Sequence, residues 1–152
     1  VVDEGVLTQA QQGENLVFVL NFGLNDYFKG EPLGTLEDST TDTYLGAMQA
    51  VMGSIKEKYP AAVLLVLTPN HVVEFEYGTR KTGEDGNVLQ DYRDGITALA
   101  EKMGVLCMDV NKEIGLNKEN HDKYLADGTH PNFYGNFCYG VAIAELLESV
   151  LK

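Results

Sequence analysis

V-L-L-V-L-T-P-N-H, residues 63–71, decides the fold. Five apolar residues follow one another without alternation, and polar residues with a proline end the run. A strand with one wet face alternates; an unbroken apolar run of this length reads as a parallel strand buried on both faces. Two more runs share the character: L-V-F-V-L-N-F at 16–22 and V-L-C-M-D-V at 105–110. Helical stepping fills the gaps. Leu45, Met48, Met52, Ile55 and Tyr59 step by three and four, with Asp42 or Thr43 to cap the start and Pro60 to stop it. Leu89, Tyr92, Ile96, Leu99 and Met103 repeat the stepping, and Gly104 follows as a C-terminal stop. A last helix is predicted from about residue 132 to the end, with Phe137, Val141, Ala144, Leu147 and Leu151 on its apolar face. A short helix around 4–12 precedes the first strand. The order α-β-α-β-α-β-α predicts a parallel sheet with right-handed crossovers.

A chain of 152 residues, 44% of them apolar, is the size and composition of one globular domain. Its 23 acidic and 11 basic side chains leave a formal charge of −12. That balance disfavours nucleic acid and anionic membrane surfaces, which both attract Lys and Arg. No run reaches the ~18 apolar residues of a membrane span. No basic-then-apolar leader is present either. The chain opens V-V-D-E without an initiator methionine, and the sequence assigns no compartment. Cys107 and Cys138 form no C-x-x-C and sit among apolar residues, so both are expected to be buried free thiols. Two long loops, 27–41 and 70–87, are rich in Gly, Pro, Asp, Glu and Thr, and loops of that length often carry function.

Polar residues gather where each strand ends. G-L-N-D (23–26) follows the first, T-P-N-H (68–71) the second and D-V-N (109–111) the third; D-G-T-H (127–130) comes shortly after. Ligands of open parallel sheets bind beyond these carboxyl ends. His130 stands before Pro131, which suits the first helical position, so His130 is expected to cap the last helix. The Asp127-Gly128 turn can fold the carboxylate back onto His130. That contact would fix the tautomer of a general base, or the hexapeptide is simply a turn and a cap. Asn25 can donate its amide N–H to an oxyanion, or close an Asx-turn. Gly23 admits close backbone approach to a substrate, or a bend. Tyr27 and Phe28 would wall the site or pack beneath the loop. His71 could line the pocket but reads more readily as an exposed loop histidine, and His121 reads as a surface one. Asp26, Asp109, Asp127 and His130 could alternatively bind a divalent metal in a metal-dependent hydrolase.

G-x-N-D after one strand and D-x-x-H-P before the last helix, about a hundred residues apart, resemble the blocks of the SGNH hydrolases, the GDSL family of esterases and lipases. L-Q-D-Y-R-D-G-I opening a helix, V-L-C-M-D-V, and Y-L-A-D-G-T-H-P-N extend the likeness along the chain. The resemblance implies a three-layer α/β/α fold with a flavodoxin-like parallel sheet. It implies His130 as general base, Asp127 as its orienting acid, Asn25 as an oxyanion-hole donor and Gly23 as part of that block. A serine in a G-D-S block would form the acyl-enzyme, with no cofactor or metal.

No such serine is here. Ser39 lies in a loop, Ser54 and Ser149 inside helices, and Cys138 within the last helix. The chain is therefore expected to be a partial single domain (1–152) that begins before the third strand of the family's sheet. The missing first two strands would leave 16–22 as an apolar edge, which is expected to pair with an N-terminal fragment or a second chain. As a complete protein it is expected to be a serine esterase acting on small acyl esters, acetyl or short-chain, on carbohydrate or lipid. Residues 1–152 alone should be inactive. The other reading is a non-catalytic relative serving as a binding or assembly module.

Overall fold

The computed structural model describes residues 16–73 and 86–151; the helix expected at 4–12 falls outside them. Three strands form one sheet in the order β1-β2-β3: β1 (Val17–Leu20), β2 (Val63–Leu67) and β3 (Leu106–Met108). Both pairings are parallel, Val17 facing Val63 and Leu65 facing Leu106. Helices α1 (Leu24–Lys29) and α2 (Tyr44–Lys58) connect β1 to β2, and α3 (Leu89–Met103) connects β2 to β3. After β3 come α4 (Val110–Ile114), α5 (His121–Tyr124) and the long α6 (Phe133–Val150).

β2 justifies its sequence. Leu64 and Val66 enter one core with Tyr44, Met52, Tyr92 and Ile96, from α2 and α3. Leu65 and Leu67 enter a second core with Met108, Val110 and Tyr139, joined by Ile143 and Leu146 of α6. Alternate side chains of a strand point to opposite faces, so these two clusters are the two sides of the sheet, and the architecture is α/β/α in three layers. Each such fully buried aliphatic side chain contributes about 1.5–3 kcal/mol.

The helix ends follow local chemistry. Thr43, not Asp42, caps α2: its Oγ1 accepts the Gly46 N–H at 3.2 Å, and that hydroxyl is itself held by Asp38 at 2.7 Å. Gly104 closes α3 with φ 61°. At α6 the structure corrects two expectations. The cap is Asn132, whose side chain accepts the Gly135 N–H at 2.9 Å, and His130 lies outside the helix. A short carboxamide reaches the first-turn amides in a way an imidazole does not. The buried face is also another one. Tyr139, Ala142, Ile143 and Leu146 meet the sheet, whereas Phe137 (62% exposed), Val141 and Leu151 face outward. α6 is apolar almost all round, so its periodicity names no single face.

Two smaller differences concern β1 and the cysteines. β1 is only four residues long, and Phe22 beyond it is exposed. Among the described residues it pairs along one edge, with β2. Cys107 and Cys138 are free as expected, but half-buried; burial pushes the Cys107 thiol pKa up. Among the described residues no helix is long and apolar enough to cross a membrane.

Candidate active site

The segment 125–132 is built around one carboxylate. Asp127 Oδ1 accepts the backbone N–H of Thr129 at 3.1 Å and of His130 at 2.7 Å. Its Oδ2 stands 2.8 Å from His130 Nδ1. Gly128 supplies the left-handed residue of the turn, φ 78°. An ionised carboxylate only accepts, so the contact keeps hydrogen on Nδ1 and leaves Nε2 as the acceptor. The His130 side chain is 72% exposed and that of Asp127 48%, so Nε2 is open to a reactant. Among the described residues, the His130 ring has no partner besides Asp127.

The turn is fixed from both sides. Ala126 N–H donates to the His130 carbonyl at 2.8 Å, and Leu125 and Pro131 form an antiparallel bridge. The tip of β2 holds it from across the sheet. Val73 N–H donates to Gly128 O at 2.8 Å, and buried Asn70 donates its Nδ2–H to Thr129 O at 3.0 Å and His71 O at 2.8 Å. Asn70 was not singled out by the sequence reading, although T-P-N after a buried strand signals it. Asn70→Ala removes the donor to the buried Thr129 carbonyl and to the half-buried His71 carbonyl, and is expected to lower stability by roughly 2 kcal/mol. Urea unfolding followed by circular dichroism measures this; an unchanged midpoint contradicts it.

Gly23 sits at the start of α1, buried, with φ 110°. A Cβ there would lie 2.6 Å from Tyr44 Oη and 2.9 Å from Pro69 Cγ. G-L-N-D is thus the start of a short helix rather than an Asx-turn, and the helix takes in the first residues of the loop expected at 27–41. Gly23 packs against Pro69, and Asn70 next to it binds the Asp127 turn, so the two motifs are linked across the sheet top. Asn25 is exposed in the first turn of α1. It edges a cleft of about 280 Å³ with Asp26, Thr43 and Tyr44, and neither Asp127 nor His130 lines that cleft. Tyr27 and Tyr92 pack edge-on beneath it, so Tyr27 is core rather than a wall of the site.

The four residues considered as a metal set do separate work. Asp109 caps α4 by accepting Lys112 N–H at 3.2 Å, Asp127 holds His130, and Asp26 lines the other cleft. Among the described residues no three His, Cys, Asp or Glu side chains gather as ligands. Ser39 and Ser54 are exposed, and Ser149 Oγ donates to the Leu146 carbonyl at 2.6 Å near the far end of α6.

A second cleft, about 450 Å³, opens beside the turn. His71, Arg93, Lys118 and His121 line it. His71 lies in a loop as expected, but it and His121 are both half-buried rather than exposed, their ring centroids 6.3 Å apart. Arg93 reaches over the sheet top, its Nε–H donating to Pro69 O at 2.8 Å.

The fold is shared with solved structures. A protein from Lactobacillus plantarum matches with a TM-score of 0.81 at 22% identity, over 95% of this chain and 72% of its own. A possible lipase from Chitinophaga pinensis gives 0.70 at 18% identity, over 96% of this chain and 78% of that one. A peptidoglycan O-acetylesterase gives 0.61 at 17% identity, over 88% of this chain and 38% of that one. No curated protein matches the sequence. The profile of the GDSL-like lipase/acylhydrolase family covers residues 2–136, and the chain belongs to that family.

Proposed function

We propose that the chain carries the acid and base of a serine ester hydrolase whose nucleophile lies on a segment outside residues 1–152. The observation that carries this is the 2.8 Å Asp127–His130 contact with the far ring nitrogen open. Nε2 would take the proton of a serine hydroxyl as its Oγ attacks the ester carbonyl carbon. Asn25 and the Gly23 block would help hold the resulting oxyanion. The tetrahedral intermediate then collapses, and the proton passes from Nε2 to the departing alcohol oxygen. Water releases the acyl group by the same route in reverse roles. A positioned general base contributes about 10²–10⁴-fold of such a rate.

Small acyl esters, acetyl or short-chain, on carbohydrate or lipid are the proposed substrates. Acetylated carbohydrate is the first to try, in line with the peptidoglycan O-acetylesterase of the same fold. The partner strand is proposed on the same grounds. β1 pairs along one edge among the described residues, and Val19, Phe133 and Phe137 are exposed. A segment that brings the serine, or a second copy of this chain, would pair with β1 and cover apolar surface.

The test is to express the chain alone and the chain extended upstream along its natural coding sequence, and to assay both on p-nitrophenyl acetate. Turnover by the extended form alone is expected. A folded extended protein that contains a G-D-S block and is inert on acetyl and butyryl esters would leave the non-catalytic module as the better reading.

A further inference from the structure

We infer that the cleft of about 450 Å³ beside the Asp127 turn is an anion subsite, which takes a carboxylate or phosphate carried by the substrate. Its lining combines Arg93 and Lys118 with His71 and His121, and among the described residues that line it there is no Asp or Glu. The chain as a whole has 23 acidic side chains against 11 basic ones. A wall with two fixed cations and two imidazoles therefore runs against the composition.

Arg93 supplies the second observation. Its Nε–H donates to Pro69 O at 2.8 Å and its Nη1–H to Gln90 Oε1 at 3.1 Å. Its Nη2 is buried and, among the described residues, has no hydrogen-bond partner. A guanidinium left with an unused donor favours an oxyanion, which its planar fork fits. Burial lowers its pKa, and the nearby Asp109 and Asp94 offset this only in part. Neither acid pairs with it: Asp94 accepts from Gln90 Nε2 at 2.8 Å, and Asp109 caps α4. His121 adds a second orphan. Its Nδ1 is 3.1 Å from the exposed Asp122 carboxylate, yet it is buried and not aligned for a hydrogen bond.

The cleft and the candidate base belong to one hydrogen-bonded unit. Val73 lines the cleft and donates its N–H to Gly128 O at 2.8 Å, two residues before His130. An ester whose carbonyl lies at His130 would extend an adjoining acid group toward Arg93 and Lys118. The long-range field of a −12 protein repels anions, so binding would rest on these short contacts and confer selectivity more than encounter rate.

That the anion belongs to an ester rests on the proposed hydrolase function; anion binding itself does not. The chain of 152 residues is titrated by NMR with inorganic phosphate, galacturonate and galactose, reading the His71 and His121 ring protons. Saturable shifts with phosphate point to a phosphorylated substrate, and with galacturonate to a uronate-type one; both support the subsite. Arg93→Gln is expected to weaken binding about tenfold. Lys118→Gln, at an exposed position, should weaken it about threefold without disturbing the fold, which circular dichroism checks. Shifts with neither anion, equal shifts with galactose, or affinities unchanged in both folded variants overturn the subsite. In the upstream-extended protein, acetyl esters of galacturonate and galactose separate the two ideas. Equal cleavage of both removes the subsite and leaves the hydrolase; cleavage of neither, with anion binding intact, removes the hydrolase and leaves the subsite.

Discussion

His130→Ala is expected to lower kcat/KM toward p-nitrophenyl acetate by about 10³-fold or more in the upstream-extended protein. The loss falls on kcat, because the imidazole acts on a proton in flight and not on the bound ester. Asp127→Asn should cost at least about 10²-fold, for a reason visible atom by atom. Oδ1 accepts two backbone N–H groups, so an asparagine keeps its oxygen there. Its NH₂ then faces His130 Nδ1, where Oδ2 stood at 2.8 Å. A donor in that place makes Nδ1 the acceptor and puts the hydrogen on Nε2. The ring then points its N–H at the serine and cannot take the proton. Steady-state kinetics with ¹⁵N spectra of the imidazole measure both effects. A full-rate Asp127→Asn enzyme, or one with unchanged tautomer, would rule out this assignment.

Gly23→Ala is expected to destabilise the chain by roughly 3 kcal/mol, a fall in Tm on the order of 10 °C. Two costs combine. The φ of 110° is one that residues with a Cβ rarely adopt. The new methyl would also sit 2.6 Å from Tyr44 Oη and 2.9 Å from Pro69 Cγ, and Pro69 is fully buried. Tyr44 cannot swing away without loss, since its hydroxyl donates to Phe22 O at 3.3 Å and its ring lies in the core. Gly140→Ala is the control. It lies inside α6 with nothing within 4 Å of the added Cβ, and should gain about 0.5–1 kcal/mol. Thermal melts of the two variants decide the point; equal midpoints would mean Gly23 is dispensable to the backbone.

Burial on both faces leaves a strong mark in sequence, which is why β2 and its layered neighbours were legible from V-L-L-V-L alone. Short helices leave no such mark. α1 has six residues, less than two turns, and G-L-N-D therefore read as a polar strand tip or an Asx-turn. At α6 the difficulty was excess: apolar residues lie on every side, and stepping by three and four fits more than one face. The cap failed for a related reason, because His130 and Asn132 both stand before the helix and Pro131 favoured the wrong one. The Asp127–His130 contact was within reach because three residues and a glycine turn hold it. Arg93, Lys118, His71 and His121 were out of reach as a group. They come from separate segments, and only the return of the chain over the sheet top brings them to one cleft.

The two oxygens of Asp127 serve different masters, one the backbone and one the imidazole. In a survey that scores cellular abundance and activity side by side, position 127 should therefore lose both together. Position 130, with its ring exposed and tied to a single neighbour, should lose activity while abundance holds. The pair that acts as one unit in chemistry would separate into a residue the fold depends on and a residue it can spare.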